Sequence, residues 1–403
     1  MSSATLGAWC WLVLARSGFW RTDQRLEPDT GTQPEPAEAW PAVALVVPAR
    51  NEANILPSTL PTLLRQDYPG RFHIFLVDDG SDDGTAGVGL KAASAAGGEE
   101  RLTVVAAGPR PEGWSGKVWA LAQSVEASKQ ACTEYLLFTD AYIAHPPDSL
   151  ATLVRKARTE RLDIVSLMAH LRVVTLWDKL LVPAFVYFFG KLYPFRRVND
   201  SRKSTAAAAG GCMLVRRDAL DRTGGLESIA RALIDDCALA RRIKSRSGPS
   251  TGRIWLGLSH EVVSVRAYET LRPMWDTVAR TAYAQLDFSA IRLAGMVAGM
   301  LTLYVTPPLA SVVGILSLAL GRDALGIWLA AAGLGAWTLM AASYLPMLGW
   351  YRTSPVFAPL LPVTAFLYTL MTVDSALQWR RGAGAGWKGR TYSVARRDPH
   401  GLK

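Results

Sequence analysis

The sequence has few cysteines and few histidines, and neither residue type occurs at the spacing of a metal site. Cys10, Cys132, Cys212 and Cys237 form no CxxC pair, and the five histidines do not fall at metal-ligand intervals. These spacings argue against a disulfide framework and against a zinc site. They are typical of a domain in a reducing, cytoplasmic compartment.

Charged residues are nearly missing from three stretches near the C-terminus. The stretches run from Leu293 to Leu320, from Ala324 to Leu348 and from Val356 to Leu377. Each is long enough to cross a hydrocarbon layer about 30 Å thick. We therefore predict transmembrane helices within residues 291–378.

The N-terminus lacks the features of a signal peptide. No Lys or Arg precedes the apolar run from Leu6 to Ala15, and no small-x-small cleavage site follows it cleanly. The run is shorter than the ~20 residues of a full span, but Trp9 and Trp20 suit a membrane interface. We interpret residues 1–21 as a membrane anchor and keep a cleaved signal peptide as the alternative.

The chain has an excess of basic residues, much of it beside apolar segments. Lys and Arg number 44 and Asp and Glu number 34, which leaves a net charge of +10. This pattern fits a surface that faces anionic lipid, and the soluble part has no basic helix with interleaved aromatic residues for nucleic acid. We predict a membrane partner, no nucleic-acid partner and a basic tail over residues 379–403. Residues 22–41, rich in Pro, Glu and Thr without periodicity, predict a linker.

Between the linker and the apolar stretches, strands alternate with helices. Val43 to Val47 is a continuous apolar run, as expected for a strand buried on both faces of a parallel sheet. Further strands are predicted over Phe72–Val77, Leu102–Ala106 and Tyr135–Thr139. Residues 42–290 therefore predict a cytoplasmic α/β domain with a doubly wound, Rossmann-like sheet whose ligand lies at the carboxyl ends of the strands.

Acidic residues follow two of the predicted strands. Asp79 lies in a turn with Gly80 and Gly84, which allow close approach of a ligand whose ribose or base edge the carboxylate could bind. A plain Asx turn is the alternative, and Leu90 at the twelfth position argues against a calcium loop. Asp140 ends the fourth strand and is either a metal ligand or an ordinary turn residue.

Two predicted helix starts carry further candidate residues. Lys117 follows a glycine turn, where a helix N-terminus and an ammonium group form a good diphosphate cradle, although a solvated surface lysine is the plainer interpretation. Asp235 and Asp236 open another helix, where carboxylates are favoured. One can cap the helix while the other serves as a general base, and the sequence leaves open which does so.

The aromatic run from Trp177 to Phe195 is interrupted by Lys179 and Lys191. It is too charged for a span and too apolar for a solvated loop. We interpret it as an interfacial segment at headgroup depth and keep a buried aromatic core segment as the alternative.

The order and spacing of these motifs resemble those of family 2 glycosyltransferases over residues 42–290. Within that family the chain looks most like the bacterial hopene-associated glycosyltransferases, and secondarily like carotenoid and ceramide glycosyltransferases. The segments that carry the narrower resemblance are Gly113–Lys117, Arg197–Asp200, Gly210–Leu214, Ala232–Cys237 and Gly386–Tyr392.

The resemblance implies a glycosyltransferase A fold, a nucleotide-sugar donor, a membrane-lipid acceptor with hopanoids as candidates, and Mg²⁺ or Mn²⁺ as cofactor. It also implies an inverting transfer of one sugar by an enzyme of the bacterial cytoplasmic membrane, multi-pass and with its catalytic domain in the cytoplasm. The implied roles are base and ribose binding by Pro48, Glu52 and Asp79, diphosphate binding by Lys117 and Arg280, metal binding by Asp140, and catalysis by Asp236 as general base beside Asp235.

The chain departs from the family pattern at two motifs. The family usually has Asp-x-Asp, but here Tyr142 stands in the place of the second acid, so metal affinity is expected to fall. Thr277–Thr281 keeps only Arg280 of the Gln-x-x-Arg-Trp motif, which argues against a processive polymerase. The alternative function is a catalytically degenerate membrane protein that binds a nucleotide-sugar or a partner.

Three spans and a cytoplasmic catalytic domain would place the basic tail outside, against the preference of Lys and Arg for the inside. We expect either that one apolar run is re-entrant or that Leu293–Leu320, which contains Pro307 and Pro308, turns back on itself.

Overall fold

A computed structural model describes residues 2–26, 40–245, 252–268, 270–321, 323–382, 385–387 and 390–392. Most of the predicted linker and the end of the basic tail, residues 27–39 and 393–403, lie outside the described residues. The chain forms two compact units. We call them the sheet unit (Arg25–Leu171, Val198–Arg266 and Gly384–Lys403) and the helical unit (Met1–Gln24, Arg172–Arg197 and Ala267–Ala383).

Strands and helices alternate along the sheet unit, as predicted. The strands are β1 (Val43–Ala49), β2 (Phe72–Asp78), β3 (Leu102–Ala106), β4 (Tyr135–Thr139), β5 (Ile143–Ala144), β6 (Ile164–Leu171), β7 (Cys212–Arg216), β8 (Ile254–Ser264), β9 (Ala385–Trp387) and β10 (Arg390–Tyr392). The helices of the whole chain are α1 (Ser2–Ala15), α2 (Leu56–Leu64), α3 (Thr85–Ala95), α4 (Gly116–Ala127), α5 (Ser149–Thr159), α6 (Leu176–Leu192), α7 (Phe195–Asn199), α8 (Arg217–Arg222), α9 (Asp235–Ser245), α10 (Leu271–Gln285), α11 (Ala290–Met300), α12 (Thr306–Ala319), α13 (Asp323–Trp350) and α14 (Leu361–Arg380).

The first eight strands form one mixed sheet in the order β3-β2-β1-β4-β7-β6-β8-β5, and β9 and β10 form a separate antiparallel pair. β1 pairs in parallel with β2 and β4, whereas β7 runs antiparallel to β4 and β6. Because β1, β2 and β4 are parallel neighbours, their carboxyl ends lie at one edge of the sheet. The predicted α/β fold class is confirmed.

The central strand β1 is buried along its whole length. All seven of its side chains, including those of Leu45 and Val47, are apolar. Both faces of the strand can therefore be covered without burying a polar side chain. Gly89 of α3 lets the helix pack closely on the sheet, since a Cβ there would lie 2.5 Å from Leu76 Cδ2. α3 therefore packs directly on β2, the strand that ends at Asp78.

In the helical unit, three segments are long and apolar enough to cross a membrane: Ala290–Ala319, Ala324–Trp350 and Pro355–Arg380. They coincide with the three predicted stretches. The first is α11 and α12 joined by a π-helical turn, Leu301–Val305, so Pro307 and Pro308 lie in a continuing helix. The expectation that this segment turns back on itself is wrong, because Pro fits the first turn of a helix, where its missing N–H costs nothing.

The start and the end of the third apolar segment, Pro355–Arg380, contact different parts of the helical unit. Near its start, Trp337 Nε1 of α13 donates a hydrogen bond to the Pro359 carbonyl oxygen at 3.0 Å. Near its end, the ring of Trp379 stacks on Phe288, just before α11, with centroids 4.2 Å apart. The segment therefore returns from the middle of α13 to the level at which α11 starts.

The aromatic run forms α6, which has one buried face. Tyr187 is fully buried and its hydroxyl bonds Ser343 Oγ at 2.7 Å, while Lys191 Nζ donates to Tyr304 Oη at 2.8 Å. Trp177, at the start of the helix, is exposed. Much of the run is therefore packed inside the helical unit.

Candidate active site

The loop after β1 and the turn after β2 are tied together by their own polar groups. Asn51 N–H donates to Ser81 Oγ at 3.0 Å, and Glu52 N–H donates to Thr85 Oγ1 at 2.9 Å. Asp83 Oδ2 accepts from Ala53 N–H at 3.0 Å. These hydrogen bonds join the two segments at the carboxyl ends of β1 and β2, where the sequence predicts the ligand to lie.

The sequence left open whether the turn after β2 is a plain Asx turn or a glycine-containing turn beside a ligand-binding carboxylate, and the structure has features of both. Asp78 Oδ1 accepts from Ser81 N–H at 2.9 Å, which is the local bond of an Asx turn. Gly80 and Gly84 have φ of 65° and 81°, a conformation that favours glycine. Asp79 is nevertheless a separate, buried carboxylate beside this turn.

Asp140 follows β4, and each of its carboxylate oxygens has a partner, one charged and one neutral. Its Oδ1 lies 3.0 Å from Lys117 Nζ, and its Oδ2 accepts a hydrogen bond from Tyr142 Oη at 2.7 Å. Its side chain is 15% exposed. Asp140 is therefore a held carboxylate at the sheet edge and not a solvated turn residue.

Lys117, in the first turn of α4, is the centre of the site. Its Nζ lies 3.0 Å from Asp140 Oδ1 and 3.5 Å from Asp235 Oδ2. Burial alone would lower the pKa of this ammonium group, but Asp140 and Asp235 outweigh it and hold the pKa well above its usual range. Lys117 is thus a permanent cation, and the alternative of a solvated surface lysine does not describe it.

Asp236 and Gly210 complete the group. Gly210 N–H donates to Asp236 Oδ2 at 2.7 Å, and Cys237 N–H donates to Asp236 Oδ1 at 2.7 Å. A Cβ at Gly210 would lie 3.1 Å from Asp236 Oδ2 and 3.2 Å from Lys117 Nζ. Glycine is therefore what lets the ammonium and the carboxylate approach this backbone together.

The surroundings of Asp236 change its acidity. Burial, followed by the charge of neighbouring Asp235, raises the pKa of Asp236 to about 6, although Lys117 and the two N–H donors oppose the change. Each oxygen still has a lone pair for a further proton donor. A carboxylate with a pKa near 6 is a suitable proton acceptor at neutral pH.

A buried histidine supports the segment that carries Asp140. His145 Nε2 bonds Thr139 Oγ1 at 2.8 Å, and its Nδ1 bonds Ser149 Oγ at 3.0 Å. Thr139 Oγ1 donates to the Gly211 carbonyl oxygen at 3.0 Å, so the hydroxyl accepts from His145 Nε2–H. Burial lowers the pKa of His145 to about 4, which keeps the ring neutral and the bonds intact at physiological pH.

Sequence reasoning missed Arg266, which follows β8. Its guanidinium carbon lies 4.1 Å from the ring centroid of Tyr142, and its Nη2 lies 3.6 Å from Glu52 Oε1. Burial, followed by the charge of Asp140, raises the pKa of the Tyr142 phenol well above its usual range, so the hydroxyl keeps its proton. The only available signal was Tyr142 itself, at the place of the expected second acid.

The site therefore brings together Glu52, Lys117, Asp140, Asp235 and Asp236, five of the predicted residues, in the sheet unit. Pro48 and Asp79 lie at the carboxyl ends of β1 and β2. Arg280 lies on α10, in the helical unit, and its predicted role stays a prediction.

The donor groups around Asp140 determine what kind of metal site it can form. No group of three or more His, Cys, Asp or Glu side chains that could hold a metal occurs among the described residues. Mg²⁺ is commonly held by one or two carboxylates with phosphates and waters supplying the other oxygens. Asp140 fits a cation that arrives with a diphosphate and does not fit a site prebuilt from protein ligands.

Comparison with known proteins identifies related sequences. The model of a family described as “Glycosyltransferase like family 2” matches residues 41–287. A 4,4′-diaponeurosporenoate glycosyltransferase of Staphylococcus aureus is 25% identical over 374 residues, which cover 88% of this chain and 89% of the relative. An N-acetylglucosaminyltransferase of Mesorhizobium japonicum is 30% identical over 134 residues, but these cover only 33% of this chain and 30% of that protein.

A solved structure has a similar fold. It is a mannosyltransferase from Pyrobaculum calidifontis in complex with GDP-Man and Mn²⁺, with a TM-score of 0.51 over 94% of this chain and 98% of that one. The two sequences are 17% identical, so the likeness concerns the fold alone. It agrees with the predicted glycosyltransferase A architecture.

Proposed function

Because the chain belongs to family 2 of the glycosyltransferases, we propose that it transfers one sugar from a nucleotide-sugar donor to a hydroxyl group of a membrane lipid. The observation that carries the proposal is the grouping of Asp140, Asp235 and Asp236 around Lys117. This group lies where an α/β sheet binds its ligand, at the carboxyl ends of the strands. The predicted enzyme class, a nucleotide-sugar-dependent glycosyltransferase, follows from the family.

The donor lies along the sheet edge. Glu52 and Asp79 bind the ribose and base, with Pro48 shaping the end of β1. The Lys117 ammonium pairs with the diphosphate, and its position in the first turn of α4 adds backbone N–H groups that favour an anion. These contacts orient the sugar toward Asp236.

Asp236 is the general base. It accepts the proton of the acceptor hydroxyl while that oxygen attacks the anomeric carbon from the side opposite the leaving group, so the anomeric configuration is inverted. Its pKa of about 6 keeps most of it ionised at pH 7 and close enough to neutrality for proton transfer. Asp235 maintains this pKa through its charge and holds Lys117 in place through the ion pair at 3.5 Å.

A divalent cation, Mg²⁺ or Mn²⁺, would be held by Asp140 and the donor's phosphates and would supply positive charge for the departing nucleoside diphosphate. Lys117 supplies part of the same charge from the protein. The leaving group is where negative charge grows during the displacement, and fixed cations there stabilise the transition state most.

The acceptor is a membrane lipid, with hopanoids as one candidate class and carotenoid-type lipids as another. The relative that matches most of the chain is a 4,4′-diaponeurosporenoate glycosyltransferase, which supports an apolar acceptor. Three helical segments that could cross a membrane support the same conclusion. Arg280 stands alone in place of the Gln-x-x-Arg-Trp motif, so a single transfer is proposed and not processive polymerisation.

We place the protein in the bacterial cytoplasmic membrane with its sheet unit and its tail on the cytoplasmic side. α12 and α13 are packed closely together, because Gly333 of α13 lies against Ser311 of α12, and we treat them as two crossings. Trp337 is 13 residues before the end of α13, or about 20 Å along the helix. Its bond to Pro359 supports a re-entrant third segment, and the stacking of Trp379 on Phe288 supports a return of the chain to the side on which it entered.

The proposal is tested by sugar turnover with the purified protein in lipid nanodiscs. UDP- and GDP-sugars are supplied with a bacterial lipid extract in the presence of Mg²⁺, Mn²⁺ or a chelator, and released nucleotide and labelled lipid are measured. Turnover that requires the extract supports transfer to a lipid. Binding of a nucleotide-sugar without turnover under every metal condition would favour the degenerate alternative, which the bond of Tyr142 to Asp140 keeps open.

A further inference from the structure

Arg266 belongs to a continuous line of contacts across the site. Val265 N–H donates to the Tyr142 carbonyl oxygen at 3.0 Å, which fixes the end of β8 against the segment after β4. The Arg266 guanidinium then lies over the Tyr142 ring and beside Glu52. Arg266 thus lies between the residue proposed to hold the ribose and the residues proposed to hold the diphosphate.

Among the charged side chains along this line of contacts, the two cations are more exposed than the carboxylates with which they pair. The side chains of Lys117 and Arg266 are each 26% exposed, whereas those of Asp140 and Glu52 are 15% and 6% exposed. Each cation is thus paired with a less exposed carboxylate. An anion that reaches these two ion pairs therefore meets the more exposed, cationic member of each.

The surroundings of Arg266 also fix its orientation. A distance of 3.6 Å to Glu52 is an ion pair but longer than a hydrogen bond, so the pair does not use up the guanidinium N–H donors. The guanidinium carbon lies 4.1 Å from the centroid of the Tyr142 ring, a contact that restricts the side chain, and a planar fork of N–H groups matches two oxygens of a phosphate. The arrangement is preorganised for a bidentate anion.

We propose that Arg266 binds the donor's diphosphate together with Lys117, and that Tyr142 positions Arg266 through its ring. This inference rests on the proposed function. Tyr142 replaces the usual second acid, so the site loses one metal ligand. In exchange, the Tyr142 ring positions the Arg266 cation in the site. Diphosphate binding then depends less on a divalent metal than a site with two acids would.

The test compares binding of a nucleoside diphosphate with binding of its nucleoside. Isothermal titration of the full-length protein in nanodiscs uses UDP, GDP, ADP, CDP and dTDP, each in the presence of a chelator, followed by the nucleoside of the one that binds. Arg266→Gln is expected to weaken the diphosphate by about 10- to 100-fold, the range for a charge-assisted hydrogen bond. Nucleoside affinity should stay within about two-fold, because the nucleoside has no charge for Arg266 to meet.

Two further variants separate positioning from charge. Tyr142→Leu removes the ring and should weaken the diphosphate but not the nucleoside, whereas Tyr142→Phe keeps the ring and should bind both almost as the wild type does. Arg202→Gln is the matched control, because Arg202 is an exposed arginine of the same unit that pairs with Asp200. It should leave both affinities unchanged.

Each outcome decides the inference. Wild-type protein that binds none of the five diphosphates would overturn the proposed function and this inference with it. Wild-type binding with equal diphosphate affinity in Arg266→Gln would overturn the inference alone. Equal loss of diphosphate and nucleoside binding in Arg266→Gln would assign Arg266 a purely structural role beside Glu52.

Discussion

Adjacent carboxylates at the start of α9 have different partners, and this difference supports the roles that we propose for them. Asp236 accepts two backbone N–H groups, whereas Asp235 pairs with Lys117 at 3.5 Å. A base must be ionised to accept a proton, and burial together with the charge of Asp235 raises the pKa of Asp236 to about 6. Activity should therefore fall as the pH drops through about 6, well above the range of an ordinary aspartate.

Asp235→Asn tests this coupling. Removal of the like charge lowers the pKa of Asp236, so the acidic limb of the kcat profile should move to lower pH even if the maximum rate falls. The measurement is kcat between pH 4.5 and 8 for wild type and variant. Glu100→Gln, which removes an exposed carboxylate of the sheet unit, should not shift the limb. An unchanged limb in Asp235→Asn would contradict the role given to Asp235.

Tyr142→Phe tests the hydroxyl that binds Asp140. The change frees Asp140 Oδ2 from its hydrogen bond of 2.7 Å and leaves the ring in place. Binding of Mn²⁺ in the presence of the nucleoside diphosphate should tighten by about 3- to 10-fold, the value of one such bond. Electron paramagnetic resonance of free Mn²⁺ reports this without any turnover. Equal Mn²⁺ affinity in the two proteins would show that the hydroxyl does not limit metal binding.

Residues at strand ends could be predicted from the sequence, and Arg266 could not. Asp79 and Asp140 follow apolar runs, and parallel strands bring such residues to one edge of a sheet. Lys117 joins them because a glycine turn starts its helix there. Arg266 depends on stacking against Tyr142, far away in the chain, and no local pattern records that contact.

At the scale of elements, the long apolar strand and helices were predicted because their composition allows few other structures. β1 is apolar at every position and is buried on both faces. Re-entrance of one apolar run was expected, but the sequence could not indicate that it is the third segment, as we propose, because Pro355–Arg380 has the composition of a span. Only its contacts at Pro359 and Trp379 reveal where it starts and ends.

Close packing of α12 on α13 gives a prediction for this pair. A Cβ at Gly333 would lie 2.6 Å from Ser311 N and 2.8 Å from the Pro307 carbonyl oxygen, both backbone atoms. Gly333→Ile should therefore lower stability by about 1–3 kcal/mol, the usual cost of overpacking. Thermal unfolding in a mild detergent measures the change.

The matched control for this variant lies on the same helix. Gly349 of α13 has open space around its Cβ position, and Gly349→Ile should leave the melting temperature nearly unchanged. Equal destabilisation by both substitutions would mean that helix propensity, and not the contact with α12, is responsible.

At the scale of the whole molecule, the re-entrant third segment that we propose would reconcile three apolar helices with a basic tail on the cytoplasmic side. Leu320, between α12 and α13, and Arg381, after α14, should then lie on opposite sides of the membrane. We expect Leu320→Cys and Arg381→Cys to react with an impermeant thiol reagent from opposite sides, in a background without Cys10 and Cys132.

Native Cys132, which is exposed in the sheet unit, serves as the reference for the cytoplasmic side in a separate variant that retains it. Arg381→Cys should label together with Cys132. Labelling of both engineered cysteines from the side opposite Cys132 would instead mean three complete crossings.

The central claim is that the group around Lys117 transfers a sugar to a membrane lipid, with Asp236 as the base. The most direct measurement is mass spectrometry of the lipids of a strain from which the gene is deleted, complemented with the wild type or with Asp236→Asn at equal protein levels. We predict that a glycosylated lipid disappears on deletion, returns with the wild type and stays absent with Asp236→Asn. Return of the lipid with Asp236→Asn, or no change on deletion, would contradict the account.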